Sequence, residues 1–585
     1  MVLQRLVFPE PYIKETELLY FRLNGNAEYV SGKILMQKGS ECLFNTYFGS
    51  FTFSKWKKYT TVQNVFLTLN ITGKFLVTVT EVAENGKENV LVCEETDGNY
   101  KKPIDGNGIV YIKLECISEA GELLGGWFET DEETENSAEE VVLGMVICTY
   151  KRETFVNRNL NILKEKITEN KESPLFDKFS AIVCDNGHTL NEYDDGKIKI
   201  VHNKNAGGAG GFTRGILECK AEVKEKGTTH VLLTDDDISF ETEAIERTYS
   251  FIRVLKNEYK EAFIGGSMFR LDNRKIQNES ANRWENHNVI PLKRYKDMTE
   301  WKNVLDNESE EKINYFSWWF CCMPMSVIGE NNLPLPVFIK RDDIEYGLRN
   351  GKIFITLNGI NVWHEPFENK RPAFLEYYYI RNQCIMESVL GSDFSKEKLK
   401  KKLFRQLKTD IFTFRYLESE IRFKGVEDFL KGIDFIKSAD PEKLNAEIIN
   451  SSRKVVPLSE AEIEIDYKKY EANKKPKESK LRKIIRKISL NGWLFPSLGR
   501  KTYLPSAFPK PSACFAKKYA INYDESTKSV FITEKSIRKA FLCLKKYCNI
   551  CKRIDNNFDF VKNEYYQRKG EITGTEFWEN YLELK

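Results

Sequence analysis

The run VVLGMVIC, Val141 to Cys148, is apolar from end to end and stops at Thr149-Tyr150-Lys151-Arg152. A short segment with no polar alternation suits a strand covered on both faces, as in a parallel sheet between helices. Val156, Leu160, Leu163 and Ile167 follow at spacings of four, three and four, which places them on one helical stripe. Ala181 to Cys184, Ile198 to Val201, Val231 to Leu233 and Phe263 to Ile264 read as further strands, with helices around Phe212 to Lys226 and Thr242 to Lys256. Strand and helix in turn predict a doubly wound α/β domain.

Outward from that domain the pattern changes on both sides. Before it, Leu43 to Phe53, Val62 to Ile71, Phe75 to Val82 and Ile109 to Leu114 are short strand-like runs, punctuated by Glu84-Asn85-Gly86 and Asp105-Gly106-Asn107-Gly108. They predict an all-β sandwich over residues 1–135. The acidic run Asp131 to Glu140 reads as a solvated linker into the α/β domain, placed at 141–395. Beyond it, Leu399, Leu403, Leu407 and Ile411 share a helix face, and a mainly helical, basic C-terminal region is predicted over 396–585. The basic stretch Lys474 to Lys487 leads into Leu490, Trp493, Leu494 and Phe495. It reads either as a solvated linker or as a surface that docks on an anionic membrane.

Composition narrows the classes. A chain of 585 residues exceeds one hydrophobic core, and 41% hydrophobic with 30% charged residues is ordinary for folded domains. A formal net charge of +3 provides no field suited to nucleic acid. The thirteen cysteines are scattered and odd in number, which fits a reducing compartment better than a disulfide framework. Cys543, Cys548 and Cys551 lack the fourth ligand of a tetrahedral zinc site. The N-terminus has no basic start followed by an apolar run, and no apolar stretch is long enough to span a bilayer, so a cytoplasmic protein is expected.

Ligands of open α/β sheets bind beyond the carboxyl ends of the strands. Here those positions are Thr149 to Arg152, Asp185-Asn186-Gly187, Asn203 to Gly208 and Asp235-Asp236-Asp237. Gly207, Gly208, Gly210 and Gly211 precede a helix, so their amides could approach a phosphate or sugar; the competing reading is a flexible turn. Three clustered carboxylates repel one another unless a cation lies between them. In an extended segment Asp235 and Asp237 point the same way and can share one divalent ion while Asp236 faces elsewhere; the alternative is a charged turn that caps the next helix. In Pro336 to Tyr346, the pair Asp342-Asp343 could supply a general base and Lys340 could offset phosphate charge, unless the acids only start a helix. His364, after Ile360 to Trp363, is either structural or completes the ion's ligands. Trp318-Trp319, with Tyr315, Phe316 and Phe320, reads as a stacking wall for a sugar or as a buried strand.

In their order these elements resemble glycosyltransferase family 2 with the GT-A fold, and within it the galactofuranosyltransferases that polymerise the mycobacterial cell-wall galactan. The likeness covers roughly residues 141–390. It rests on Asn205 to Phe212 (NAGGAGGF), Phe338 to Arg349 (FIKRDDIEYGLR) and Val362-Trp363-His364. The resemblance implies an inverting transfer of a sugar, galactofuranose from UDP-galactofuranose, to a hydroxyl of a cell-surface glycan. It implies that Arg152, Asp185 and Asn205, with Thr149, Gly208 and Asp236, hold the nucleotide part. Lys340 would lie near the diphosphate, and Asp235, Asp237 and His364 would bind Mn2+ or Mg2+. Asp343 would be the catalytic base, Asp342 a sugar-binding neighbour, and Trp318, Trp319 and an acid, Glu279 or Glu285, the acceptor side. Expected partners are a UDP-sugar and a glycan, lipid-linked where the chain is peripheral on the inner face of the membrane, and a homo-oligomer is a further expectation. The rival readings are transfer of rhamnose or another hexose, a non-catalytic glycan-binding protein, and a nucleotidyltransferase.

Overall fold

The computed structural model describes residues 1–9, 16–366, 372–497 and 499–585. The chain divides into two units. One comprises Met1–Lys204, Gly210–Leu333 and Tyr346–Glu365; the other comprises Asn205–Ala209, Pro334–Glu345 and Pro366–Lys585.

The first unit is built around an eight-stranded sheet. Its strands are β1 (Leu143–Thr149), β2 (Phe179–Asp185), β3 (Tyr193–Asp194), β4 (Ile198–His202), β5 (His230–Asp235), β6 (Phe263–Gly265), β7 (Cys321–Pro324) and β8 (Phe354–Ile355), in the spatial order β3-β4-β2-β1-β5-β7-β6-β8. The block β4-β2-β1-β5 is parallel, whereas β7 runs antiparallel to both β5 and β6. Val146 and Ile147 at the centre of β1 are buried, as an unalternating strand requires. Helices α1 (Glu153–Leu163), α2 (Gly207–Lys226) and α3 (Thr242–Arg253) follow β1, β4 and β5.

Small residues let α2 lie directly on β1. A β-carbon at Gly211 would sit 2.2 Å from Cys148 Sγ, one at Gly215 would sit 2.1 Å from Val146 Cγ1, and one at Gly144 would sit 2.7 Å from Cys219 Sγ. The glycines at 211 and 215 are therefore required by packing, since an i, i+4 spacing brings both onto the face that meets the strand. Helix α2 begins at Gly207 rather than near Phe212, so the glycine cluster forms its first turns instead of a loop.

A five-stranded sheet joins Ser239–Phe240, Asn361–His364, Ser267–Arg270, Ile276–Glu279 and Lys296–Asp297. Before the α/β part, two six-stranded antiparallel sheets meet across rings such as Phe51 and Phe128, stacked at 4.5 Å. Two expectations fail there. Leu43 to Phe53 is not one strand: its ends pair in different places, and residues 44–50 turn between them. The acidic run is not all linker, because Asp131 caps a helix, Glu132–Ser137, by accepting from the Thr134 amide at 2.8 Å.

These N-terminal sheets share buried polar contacts with the α/β part. Lys55 Nζ lies 2.6 Å from Glu308 Oε2, both side chains being nearly closed to solvent, and donates to the Thr356 carbonyl at 2.6 Å. The Tyr20 hydroxyl donates to Glu241 at 2.5 Å, and Arg247 donates to the carbonyls of Phe48 and Asn358.

The second unit contains α4 (Asp342–Asn350) in its first turn, then α5 (Leu375–Val389), α6 (Lys396–Phe412), α7 (Tyr416–Phe429), α8 (Lys480–Ile488) and the long α9 (Ile537–Arg568). Leu399, Leu403 and Leu407 form the buried stripe of α6. A four-stranded sheet, of Val456–Pro457, Ser529–Glu534, Lys517–Asp524 and Gly499–Pro505, accompanies the helices. Among the described residues no helix is long and apolar enough to cross a membrane, and all thirteen cysteines are unpaired with one another.

Candidate active site

Strand pairing assembles a metal-ligand set from residues far apart in sequence. β5 ends on Asp235, and the chain then enters Ser239–Phe240, which pairs antiparallel with Val362-Trp363. That register brings His364 back beside the aspartates. His364 Nε2 lies 3.0 Å from Asp237 Oδ1 and 3.4 Å from Asp235 Oδ2, and the three ligand atoms fall within 4.8 Å of one another. Asp237 and His364 are buried, while Asp235 is about one-third exposed and leaves the cluster open on its side. Two carboxylates and one imidazole suit a hard or borderline divalent cation such as Mn2+ or Mg2+. Arg152, half exposed, approaches Asp237 Oδ2 at 3.3 Å.

Asp236 points away from this cluster, as the alternation along an extended segment requires. It accepts a 2.7 Å hydrogen bond from the Thr149 hydroxyl, which ties the end of β5 to the end of neighbouring β1. Burial, against that hydrogen bond, pushes the Asp236 carboxyl up to about 7, and the charges of Asp237 and Asp235 add to the rise. Asp185, at the end of β2, is fully buried and accepts from the amides of Gly187, Thr189 and Leu190 at 2.7–2.8 Å. Its carboxylate shapes the turn after β2 and presents no surface to a nucleotide, which corrects the expectation of direct contact.

In the second unit, the segment before α4 is held in an unusual backbone conformation. Phe338, Lys340 and Arg341 have φ of 71°, 69° and 79°, a region that non-glycine residues rarely adopt. The brace is Asn382 on α5, fully buried, whose amide donates to the carbonyls of Val337, Ile339 and Lys340 at 3.0, 2.7 and 2.9 Å. Arg381 adds a bond to the Val337 carbonyl at 2.8 Å, and the Ala209 amide donates to the Phe338 carbonyl at 3.0 Å. Gly207 has φ +71°, and a β-carbon there would lie 2.2 Å from the Phe338 oxygen, so only glycine fits. Asn205 Oδ1 accepts from the Gly207 amide at 3.2 Å, while Gly208 has nothing within 4 Å of where a β-carbon would sit.

This braced loop delivers the acid pair. Asp342 is buried, and burial together with the charge of Asp343 pushes its carboxyl up to about 7. Asp343 is more open. The two adjacent carboxyls thus differ in burial, Asp342 being closed to solvent and Asp343 part-open.

Comparison with known proteins places the chain near the galactofuranosyltransferases. A family model described as galactofuranosyltransferase 2 N-terminal matches residues 3–141. The chain is 26% identical over 489 residues to the galactofuranosyltransferase GlfT2 of Mycobacterium tuberculosis (strain ATCC 25618 / H37Rv), covering 75% of this chain and 73% of the relative. The chain is a GlfT2-like glycosyltransferase. It is also 25% identical over 499 residues, with the same coverage, to GlfT2 of Mycolicibacterium smegmatis (strain ATCC 700084 / mc(2)155). Among solved structures, the mannosyltransferase PcManGT of Pyrobaculum calidifontis in complex with GDP-Man and Mn2+ aligns over 53% of this chain and 80% of its own. Its identity is 11% and its TM-score 0.26, too low to carry an argument.

The acceptor-side expectations fare unevenly in this GlfT2-like chain. Trp318 and Trp319 are 5% and 3% exposed: Trp318 packs edge-on against Phe212 and Tyr346, and Trp319 Nε1 donates to the Gly266 carbonyl at 2.9 Å. Rings held this way form part of the core, not an open stacking wall. They lie in a turn before β7 and not in a buried strand. Glu285 is exposed at the end of Ala281–Glu285 and pairs with Arg283 at 3.2 Å, whereas Glu279 is buried. Sequence reasoning missed Asn382, whose signal is absent from any motif. It also missed Gly215, whose i, i+4, i+8 relation to Gly207 and Gly211 was there to be read.

Proposed function

We propose that this chain is an inverting, divalent-metal-dependent glycosyltransferase of GT-A type that moves galactofuranose from UDP-galactofuranose to a hydroxyl of a glycan acceptor. The observation that carries it is the Asp235, Asp237 and His364 cluster at the carboxyl end of β5. The named activity of the GlfT2 relatives supports galactofuranose as the sugar moved. Asp235, Asp237 and His364 would hold Mn2+ or Mg2+, which when bound supplies positive charge opposite a donor diphosphate.

The chain's own residues divide the remaining work. Arg152 orients Asp237, and Thr149 holds Asp236 so that only two of the three carboxylates face the ligand cluster. Lys340, fixed by the braced loop, adds charge against the leaving diphosphate. Gly208, in the first turn of α2, has open space where a β-carbon would sit, so the donor's phosphates can approach its backbone closely. Asp343 takes the proton of the acceptor hydroxyl as its oxygen attacks the anomeric carbon from the face opposite the leaving group, which inverts configuration. Asp342 is the neighbour that binds sugar, its carboxyl held up at about 7 by burial and by the charge of Asp343.

Calorimetry of UDP with Mn2+, paired with transfer rates, tests the assignment. Asp343→Asn should lower turnover by roughly 10²–10⁴ and leave UDP affinity nearly unchanged. Asp237→Asn should weaken UDP binding and the metal requirement together. Full activity of metal-stripped protein in excess chelator, or near-normal turnover in Asp343→Asn, refutes the mechanism.

A further inference from the structure

The second unit encloses a cavity of about 620 Å³, within the range of small-ligand sites, that the proposed transfer does not use. Its floor is a closed set of charges. Arg422 donates to Glu376 at 2.8 Å and pairs with Asp410, and Arg453 pairs with Glu418 at 2.9 Å. Asp524, also on the wall, is occupied by its own hairpin turn, accepting from the Ser506 and Ser526 hydroxyls at 2.7 Å each.

The rim differs. Arg405 and Lys510 line the cavity, are exposed, and form no ion pair among the described residues. Gln406, next to Arg405 on the same wall of α6, has its Oε1 buried without a hydrogen-bond partner. The guanidinium groups of Arg415 and Arg453 lie 5.3 and 4.8 Å from the centroid of the Phe531 ring, and Phe508, which also lines the cavity, is 56% exposed. An unpartnered buried acceptor costs free energy until a donor reaches it, and two unpaired cations at one mouth favour an anion.

We propose that this cavity is a second carbohydrate-binding site, specific for a hydroxyl-rich ligand that carries a negative charge. A neutral sugar would leave Arg405 and Lys510 unused. A bare anion would leave Gln406 unsatisfied and most of the volume empty. A sugar bearing a phosphate or a carboxylate meets both demands: its charge lies between Arg405 and Lys510, a hydroxyl donates to Gln406 Oε1, and a ring face packs on the exposed side of Phe508.

Hydrogen-exchange mass spectrometry on the full chain in excess chelator, so that no metal recruits phosphate at the aspartates, tests this with glucose 1-phosphate, glucuronate, glucose and inorganic phosphate. One of the two charged sugars should protect residues 506–531 and the adjacent part of α6, at least ten-fold more tightly than glucose or inorganic phosphate. The tighter of the two identifies the charge as phosphate or carboxylate. The exposed double variant Arg405→Gln with Lys510→Gln should lose that protection by at least ten-fold, and Gln406→Leu should weaken the charged sugar without affecting inorganic phosphate. The proposal is overturned if neither charged sugar protects these segments up to about 10 mM, above the weak-site range. Equal protection in the double variant, or equal affinity for inorganic phosphate, overturns it too.

Discussion

Replacing Gly211 with alanine should destabilise the protein, whereas the same change three residues earlier, at Gly208, should not. At 211 the added carbon would lie 2.2 Å from Cys148 Sγ and 3.1 Å from Cys148 Cβ. Ordinary carbon contacts lie at roughly 3.5–4.0 Å, so α2 and β1 must separate by over an ångström or Cys148 must shift. Overpacking of that kind costs about 1–3 kcal/mol, and the helix preference of alanine over glycine returns about 1. The expected net loss is about 1 kcal/mol, at the centre of a range of about 0–2. At 208 nothing lies within 4 Å, so only the helix gain of up to about 1 kcal/mol remains. Urea unfolding midpoints for both variants make the comparison. Adding Cys148→Ala to Gly211→Ala removes the clashing sulfur and should recover part of the loss, a coupling visible in a double-mutant cycle. Gly208→Ala should lower transfer if its amide serves the donor, so stability and activity would move in opposite directions. Midpoint shifts of the same sign in the two alanine variants, or no relief from Cys148→Ala, would refute the packing argument.

Three further outcomes are expected. Because the Asp342 carboxyl is raised from 3.8 to about 7, the folded state binds more protons than the unfolded state between those values. Wild type should therefore lose stability relative to Asp342→Asn as pH rises through that window, by up to about 1.4 kcal/mol per pH unit, with no further change above it; denaturation of both proteins at several pH values measures this. Asn382→Leu removes three hydrogen bonds to the strained loop and should cost several kcal/mol together with most of the turnover and part of the UDP affinity that Lys340 supplies; unchanged turnover in folded protein would show that the brace is dispensable. Leu481, Ile484 and Ile488 on α8 are 68, 54 and 75% exposed among lysines and arginines, so the chain should float with anionic liposomes; neutralising Lys480, Arg482, Lys483 and Lys487 should abolish flotation, and equal binding would exclude docking there.

The parallel half of the eight-stranded sheet was legible because β1, β2 and β5 are apolar runs that end at polar residues, a pattern set by burial on both faces. Strands β7 and β8 were not, since both are short and pair with partners far away in sequence, β7 antiparallel to β5 and β6 and β8 parallel to β6. Asp235 and Asp237 declared themselves through local alternation. His364 could be suggested only as a candidate, because the contact with Asp237 depends on the register of Ser239–Phe240 against Val362-Trp363. Asp185 and the tryptophan pair misled for the same reason: residue type shows what a side chain can do, while burial decides whether a ligand can reach it. Asn382 sits in an ordinary helix, and its role exists only where α5 passes the loop before α4.

The buried pairing of Lys55 with Glu308 bears on how this protein can be divided. A charge left alone in such a place costs about 3–5 kcal/mol, a large fraction of the stability of a whole domain. Cutting the chain near residue 135 would strand Glu308 on one fragment and Lys55 on the other, and would strip Tyr20 from Glu241 as well. The first 135 residues and the transferase core thus depend on each other for stability. Exchange of that segment between relatives should succeed only where Lys55, Tyr20 and the residues they meet are carried across together.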